Sequence, residues 1–118
     1  MHEFSMCQTI VKIVLDELKK YGTEPIQLKS VKLCIGKYHQ LVPENLTFAY
    51  EVLTKDSPAE GSVLDIEVFP ILIQCKSCNW KGEIAPHLYR CEICSSGDVE
   101  VIGGKELFIE SLEVDSHD

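Results

Sequence analysis

Two short cysteine pairs, Cys75-Lys76-Ser77-Cys78 and Cys91-Glu92-Ile93-Cys94, stand twelve residues apart. No other feature of the chain limits its fold as strongly. Two residues between cysteines let one tight turn aim both thiolates at a single ion. Twelve residues are enough for a hairpin that brings two such turns together. The spacing predicts a tetrahedral Cys₄ zinc site on Cys75, Cys78, Cys91 and Cys94. Four thiolates leave no position for water, so zinc there is structural rather than hydrolytic. Asn79 and Ser95 follow the two pairs, and Asn tolerates the left-handed backbone that such turns need. Rubredoxin-like iron is the minor alternative, and colour would reveal it. A dithiol redox pair explains the spacing less well, because one metal accounts for both pairs. His87 lies between the pairs; with Cys₄ complete it is expected as a solvent-facing loop residue and stays a candidate for a second, labile metal.

The remaining residues read as a small α+β body. Met6, Cys7, Ile10, Val11, Val14, Leu15 and Leu18 recur at three- and four-residue steps and form one apolar helical stripe. Ser5 is the expected N-cap, Tyr21-Gly22 the stop, and Met1 to Glu3 a short extended arm. Val31, Leu33 and Ile35 alternate with Ser30, Lys32 and Cys34, which predicts a half-buried strand over 27–35. Pro43 opens a second helix with Leu46, Ala49, Tyr50 and Leu53 on its apolar side. Leu64, Ile66 and Val68 make a second strand, and Pro70 an edge or a break. In the last strand, Glu106–Val114, the apolar phase slips from Leu107 and Ile109 to Leu112 and Val114, which predicts a bulge near Glu110. The expected architecture is two helices on a small three-stranded sheet, with the cysteine module inserted before the last strand. Residues 1–73 and 105–118 would form the α+β domain and residues 74–104 the zinc-binding domain. A core this small gains from a bound metal.

Charge narrows the partners. Eleven basic and nineteen acidic residues give the 118-residue chain a net charge of −8. That argues against nucleic acid, which demands cations to replace phosphate counterions. The acidity is concentrated in residues 83–118, which hold nine acidic residues against two basic ones; a solvated face is the simplest reading of it. No apolar run approaches a membrane span, and the start lacks the pattern of a secretory signal. The expected compartment is the cytoplasm, where cysteines stay reduced and six of them read as metal ligands or buried thiols before disulfides. Cys7, on the helical stripe, is expected to be a buried small hydrophobe. His39 is expected as a solvated loop residue. No Ser-His-Asp pattern, phosphate-binding glycine loop or His-Glu-x-x-His occurs, so no enzyme is expected.

His2 is the remaining chemical feature. A histidine at position two can chelate through the amine of Met1, its own amide nitrogen and its imidazole, forming fused small rings around one ion. Ni(II) and Cu(II) favour such tetragonal nitrogen sites. Glu3 offers a backbone nitrogen or a carboxylate as a further ligand.

Met1-His2-Glu3 opening straight into an amphipathic helix, with Cys75-x-x-Cys78 and Cys91-x-x-Cys94 much later, strongly resembles the HypA/HybF family over essentially the full chain. These are nickel metallochaperones of [NiFe]-hydrogenase maturation and, in some bacteria, of urease. The resemblance implies that His2 is the nickel-binding histidine and that Met1 and Glu3 contribute backbone nitrogens or tune selectivity. It implies that the four cysteines hold structural zinc while Ni(II) is transient cargo. It implies a HypB-type GTPase and the [NiFe]-hydrogenase large-subunit precursor as partners, with members acting as monomers or homodimers. Some members add a zinc-domain histidine to the nickel site; His87 is the candidate here, with no motif that fixes the match. The alternative reading is a zinc-ribbon protein-interaction module without nickel function.

Overall fold

The computed structural model describes residues 2–20 and 26–116. The expected helix stop at Tyr21-Gly22, the proposed ligand Met1 and the tail residue His117 lie outside them.

Helix α1 (His2–Lys19) buries Cys7, Ile10, Val11, Val14 and Leu18, the stripe expected from the sequence. It begins earlier than expected. The chain is helical from His2 onward, so His2 and Glu3 are no extended arm and Ser5 is an exposed first-turn residue rather than the cap. Glu3 places a negative charge in that first turn, where the helix dipole favours it.

Strand β1 (Ile26–Gly36) follows, then a 3₁₀ turn (Lys37–His39) and helix α2 (Pro43–Leu53). Pro43 suits the start because the missing N–H would have no intrahelical partner there. Leu46, Ala49 and Tyr50 are buried. The Cys7 thiol donates to the Leu46 carbonyl at 3.7 Å, joining the two helices within their shared core. Thr54 ends α2, with its amide and hydroxyl both donating to the Tyr50 carbonyl at 3.0 and 2.7 Å. The turn after it is held by Tyr50 Oη and Ser62 Oγ, 2.5 Å apart.

Strands β2 (Val63–Phe69) and β6 (Leu107–Ser116) flank β1 in a three-stranded sheet of order β2-β1-β6. Leu33, Cys34 and Ile35 are all buried, so β1 is covered on both faces at this end, where simple alternation predicted one buried face. Along β1 and β6, Lys29 pairs with Asp115 at 3.8 Å and Lys32 with Glu110 at 3.3 Å, while Ser30 donates to Glu113 at 3.3 Å. Residue numbers rise on one strand as they fall on the other, so the pairing is antiparallel. Each ion pair is about half exposed and contributes less than about 1 kcal/mol. The phase of β6 slips where the sequence slips: Glu110 and Ser111 are both exposed, and alternation resumes at Leu112.

Pro70 interrupts the chain between β2 and β3 (Ile71–Cys75). With β4 (Lys81–Ile84) and β5 (Val99–Gly103), β3 forms a second sheet of order β4-β3-β5, antiparallel throughout. Ile71, Ile73 and Ile84 are its buried centre, with Trp80, Tyr89, Val99 and Val101 packed around them. The chain divides into two compact units: residues 1–33, 41–66 and 109–118, which hold both helices, and residues 34–40 and 67–108, which hold the cysteines.

In the second unit two glycines permit a close backbone crossing. The Gly36 amide donates to the Glu106 carbonyl at 2.7 Å and the Tyr38 amide to the Gly104 carbonyl at 3.0 Å. A Cβ on Gly36 would run into the Gly104 carbonyl. Gly104 has φ +100°, and a Cβ there would lie 2.6 Å from Ile71 Cα and 2.7 Å from the Pro70 oxygen. Strain and overlap coincide, so Gly104→Ala should lower stability by about 1–3 kcal/mol. A denaturation midpoint equal to wild type would show that the crossing relaxes without cost.

Candidate metal sites

Each cysteine pair folds into the same small turn. The first cysteine's carbonyl accepts the amide of the residue after the pair: Asn79 to Cys75 at 2.9 Å and Ser95 to Cys91 at 3.0 Å. Asn79 and Ser95 take left-handed conformations, φ 66° and 63°. The Cys75 amide donates to the Trp80 carbonyl at 2.7 Å and the Cys91 amide to the Ser96 carbonyl at 2.9 Å. Amides inside each turn point at the first sulfur. Cys75 Sγ receives Ser77 and Cys78 at 3.3 and 3.4 Å, and Cys91 Sγ receives Ile93 and Cys94 at 3.3 and 3.4 Å. Ser77 Oγ and Ser96 Oγ lie 3.2 Å apart and tie one turn to the other.

The four sulfurs converge. Cys75 Sγ and Cys94 Sγ are 3.6 Å apart, Cys78 Sγ and Cys91 Sγ 3.5 Å apart, and all four lie within 4.8 Å of one another. Sulfurs bound tetrahedrally at about 2.3 Å would stand roughly 3.8 Å apart. These distances are far too long for disulfides, and all six cysteines are free. The donor set is all sulfur, which suits Zn(II) or iron and disfavours the hard oxygen-seeking cations.

The electrostatics separate the four thiols. The Cys78 amide holds the Cys75 thiol down at about 7, against desolvation and with help from the Ser77 amide. Desolvation raises Cys91, but the amides of Cys94 and Ile93 outweigh it and its net shift is downward. Trp80's amide pulls Cys78 down, yet the Cys91 sulfur, desolvation and the Cys75 sulfur push it up to about 12. Cys94 is likewise raised: the Ser96 amide favours its thiolate, while the Cys75 sulfur and desolvation oppose it. The first cysteine of each pair is therefore shifted toward the thiolate and the second away from it.

The other expected ligands lie elsewhere. His87 occupies a turn closed by the Leu88 amide on the Ala85 carbonyl at 3.1 Å, with φ 67°. It is exposed and is not among the residues that converge with the cysteines. Cys7 and Cys34 are fully buried, and desolvation raises the Cys7 thiol to about 11, so it is an inert core group. His39 is not the freely solvated residue expected. Its Nε2 lies 2.9 Å from the Lys105 carbonyl, its ring packs edge-on to Tyr38, and the Lys105 ammonium sits 4.8 Å over the Tyr38 ring.

His2 is exposed at the first helical position of α1. Amides in a first helical turn lack acceptors within their helix. Glu3, half-buried, turns its carboxylate to α2, where Oε2 accepts the Val42 amide at 3.0 Å. That amide, then Glu3's own, holds the Glu3 carboxyl below its usual range. Sequence reasoning missed this contact, although Val42-Pro43 is a helix start with no side-chain cap of its own. Among the described residues no helix is long and apolar enough to cross a membrane.

Comparison with known proteins follows the same lines. The family described as hydrogenase/urease nickel incorporation, metallochaperone, HypA, matches residues 1–114. A hydrogenase maturation factor HypA from Desulfatibacillum aliphaticivorans is 35% identical over 114 residues, covering 97% of this chain and 87% of the relative. Another from Acidithiobacillus ferrooxidans is 36% identical over 115 residues, covering 98% of this chain and 100% of the relative. In fold, the chain is similar to the solution structure of the nickel metallochaperone HypA from Helicobacter pylori, with TM-score 0.61 at 23% identity over 98% of both chains. A second HypA solution structure gives TM-score 0.65 at 24% identity, over 99% of this chain and 98% of the other.

The cysteine geometry yields a test of its own. Metal uptake should release protons, and affinity should fall as pH drops through about 7, where Cys75 becomes protonated. Cys91→Ser should abolish tight uptake. Trp80, the only tryptophan, packs on the isoleucine centre and accepts the Cys75 amide with its carbonyl, so its fluorescence should report metal removal. Affinity independent of pH between 5 and 8 would rule out thiolate ligation.

Proposed function

The chain belongs to the HypA family of hydrogenase and urease nickel metallochaperones, which are maturation factors and not enzymes; on that premise we propose that it carries Ni(II) on Met1, His2 and Glu3 and delivers it for [NiFe]-hydrogenase maturation. Cys75, Cys78, Cys91 and Cys94 would hold structural Zn(II). Urease is a second possible client, given the family's scope. A HypB-type GTPase and the hydrogenase large-subunit precursor are the proposed partners, and the cytoplasm, where thiols stay reduced, the proposed compartment. The residues around the arm form the nickel domain and those around the cysteines the zinc domain.

The observation that carries the nickel reading is the exposed His2 at the start of α1 in a chain of this family. Its imidazole reaches solvent, so cargo can enter and leave. The amides beside it are not committed to a helical ladder, so metal can displace an amide proton without breaking one. The positive end of the α1 dipole favours that proton loss and also repels the divalent cation. Binding is selective for ions that prefer nitrogen in a square arrangement, yet open to ligand exchange. An incoming thiolate or imidazole can replace one nitrogen at a time, which suits delivery. The four cysteines have the opposite character: two are buried and the coordination sphere closes with them.

The test uses protein with an intact Met1. Metal content is measured first, then Ni(II) is titrated by calorimetry into wild type and His2→Ala. One zinc per chain in both proteins, and a nickel site present in wild type but reduced to adventitious binding in His2→Ala, is the expected result. Nickel affinity should fall on acidification, because amine, amide and imidazole must all be deprotonated to bind. Undiminished nickel binding in His2→Ala would move the site away from the arm.

A further inference from the structure

Helix α2 starts without the usual cap. Its N-cap residue is Val42, extended at φ −92° and ψ 115°, with no side-chain hydrogen bond to the helix. Pro43 follows and has no N–H to donate. The Val42 carbonyl accepts the amides of Asn45 and Leu46, both at 3.1 Å. Glu44 puts a negative charge in the first turn, but the start has no side-chain acceptor from its own N-cap residue. Glu3, 39 residues earlier, supplies one by accepting the Val42 amide at 3.0 Å.

This contact has a consequence for the neighbouring residue. Glu3 directly follows His2, and both lie in the first turn of α1. First turns fray unless something outside the helix holds them. The Glu3 side chain holds this one by its attachment to α2. A carboxylate that moved to nickel would have to leave the Val42 amide without its acceptor. We infer that Glu3 is a positioning residue for the nickel arm: its carboxylate stays clamped on the N-terminus of α2 and fixes the His2 turn, and only its backbone is left to face the metal. This rests on the nickel reading above and deepens it by removing the Glu3 carboxylate from the ligand set. Gln can keep the clamp because its amide oxygen also accepts a hydrogen bond, whereas Ala cannot.

The experiment compares zinc-loaded wild type, Glu3→Gln and Glu3→Ala, each with an intact Met1. Without nickel, amide hydrogen exchange at Val42 is followed by NMR. Exchange should be slower by about threefold or more in wild type and Glu3→Gln than in Glu3→Ala. Nickel is then titrated by calorimetry and its electronic spectrum recorded. Wild type and Glu3→Gln should share one spectrum and similar affinity, while Glu3→Ala should bind roughly 10–100-fold more weakly. Circular dichroism melts check that all three variants fold. A changed spectrum with an affinity loss in Glu3→Gln as large as in Glu3→Ala would make the carboxylate a ligand and overturn the inference. Equal Val42 exchange in all three, with nickel binding intact, would remove the clamp while leaving the nickel reading standing. Absence of a specific nickel site in wild type would sink both, and the Val42 data would still show whether Glu3 caps α2.

Discussion

Four thiolates crowded within 4.8 Å of one another repel strongly unless a cation sits among them. The unit that holds them is built around that requirement. Two identical turns aim two amides apiece at the inner sulfurs, so part of the negative charge is met by the backbone before any metal binds. The outer sulfurs of Cys78 and Cys94 each face one amide, of Trp80 and Ser96, which the neighbouring sulfurs and desolvation outweigh. The small sheet beside them offers only three buried isoleucines as its centre. A core of that size gives little stability alone, and a metal held by the four cysteines would add to it.

The helical unit solves a different problem. Its core is ordinary: an apolar stripe on α1, three residues of α2, and the buried residues of β1. Its distinctive feature is a shared helix start. The first turn of α1 and the first turn of α2 meet through one hydrogen bond between Glu3 and Val42. One helix lacks a cap and the other carries a spare carboxylate in its first turn, and each meets the other's need. His2 therefore stands not on a free tail but on a helix whose first turn has a partner.

Much of this was legible beforehand. The α1 stripe from Cys7 to Leu18, the apolar side of α2, the phase slip in β6 and the break at Pro70 follow from spacing of side chains along the chain, and spacing is local. The cysteine turns were legible for the same reason, down to the left-handed residues after each pair. The misreadings share one cause. Ser5 looks like a cap only if local preference decides the helix start, and Cys34 looks one-sided only if its strand has one covered face. In the fold, β1 is central and buried on both sides at that end, and the first turn of α1 is held by a residue 39 positions away. His39 likewise finds its partner 66 residues later, in the carbonyl of Lys105.

The sequence by itself determined which residues form helices and strands and which four sulfurs can share an ion, because side-chain periodicity and ligand spacing act over a few residues. Tertiary structure decided which strand lies at the centre and where the Glu3 carboxylate points. Those outcomes depend on strands and backbone amides brought together from distant parts of the chain. A hydrogen bond of 3.0 Å between residues 3 and 42 has no counterpart in the linear pattern, since it exists only once both helices have packed on their common core.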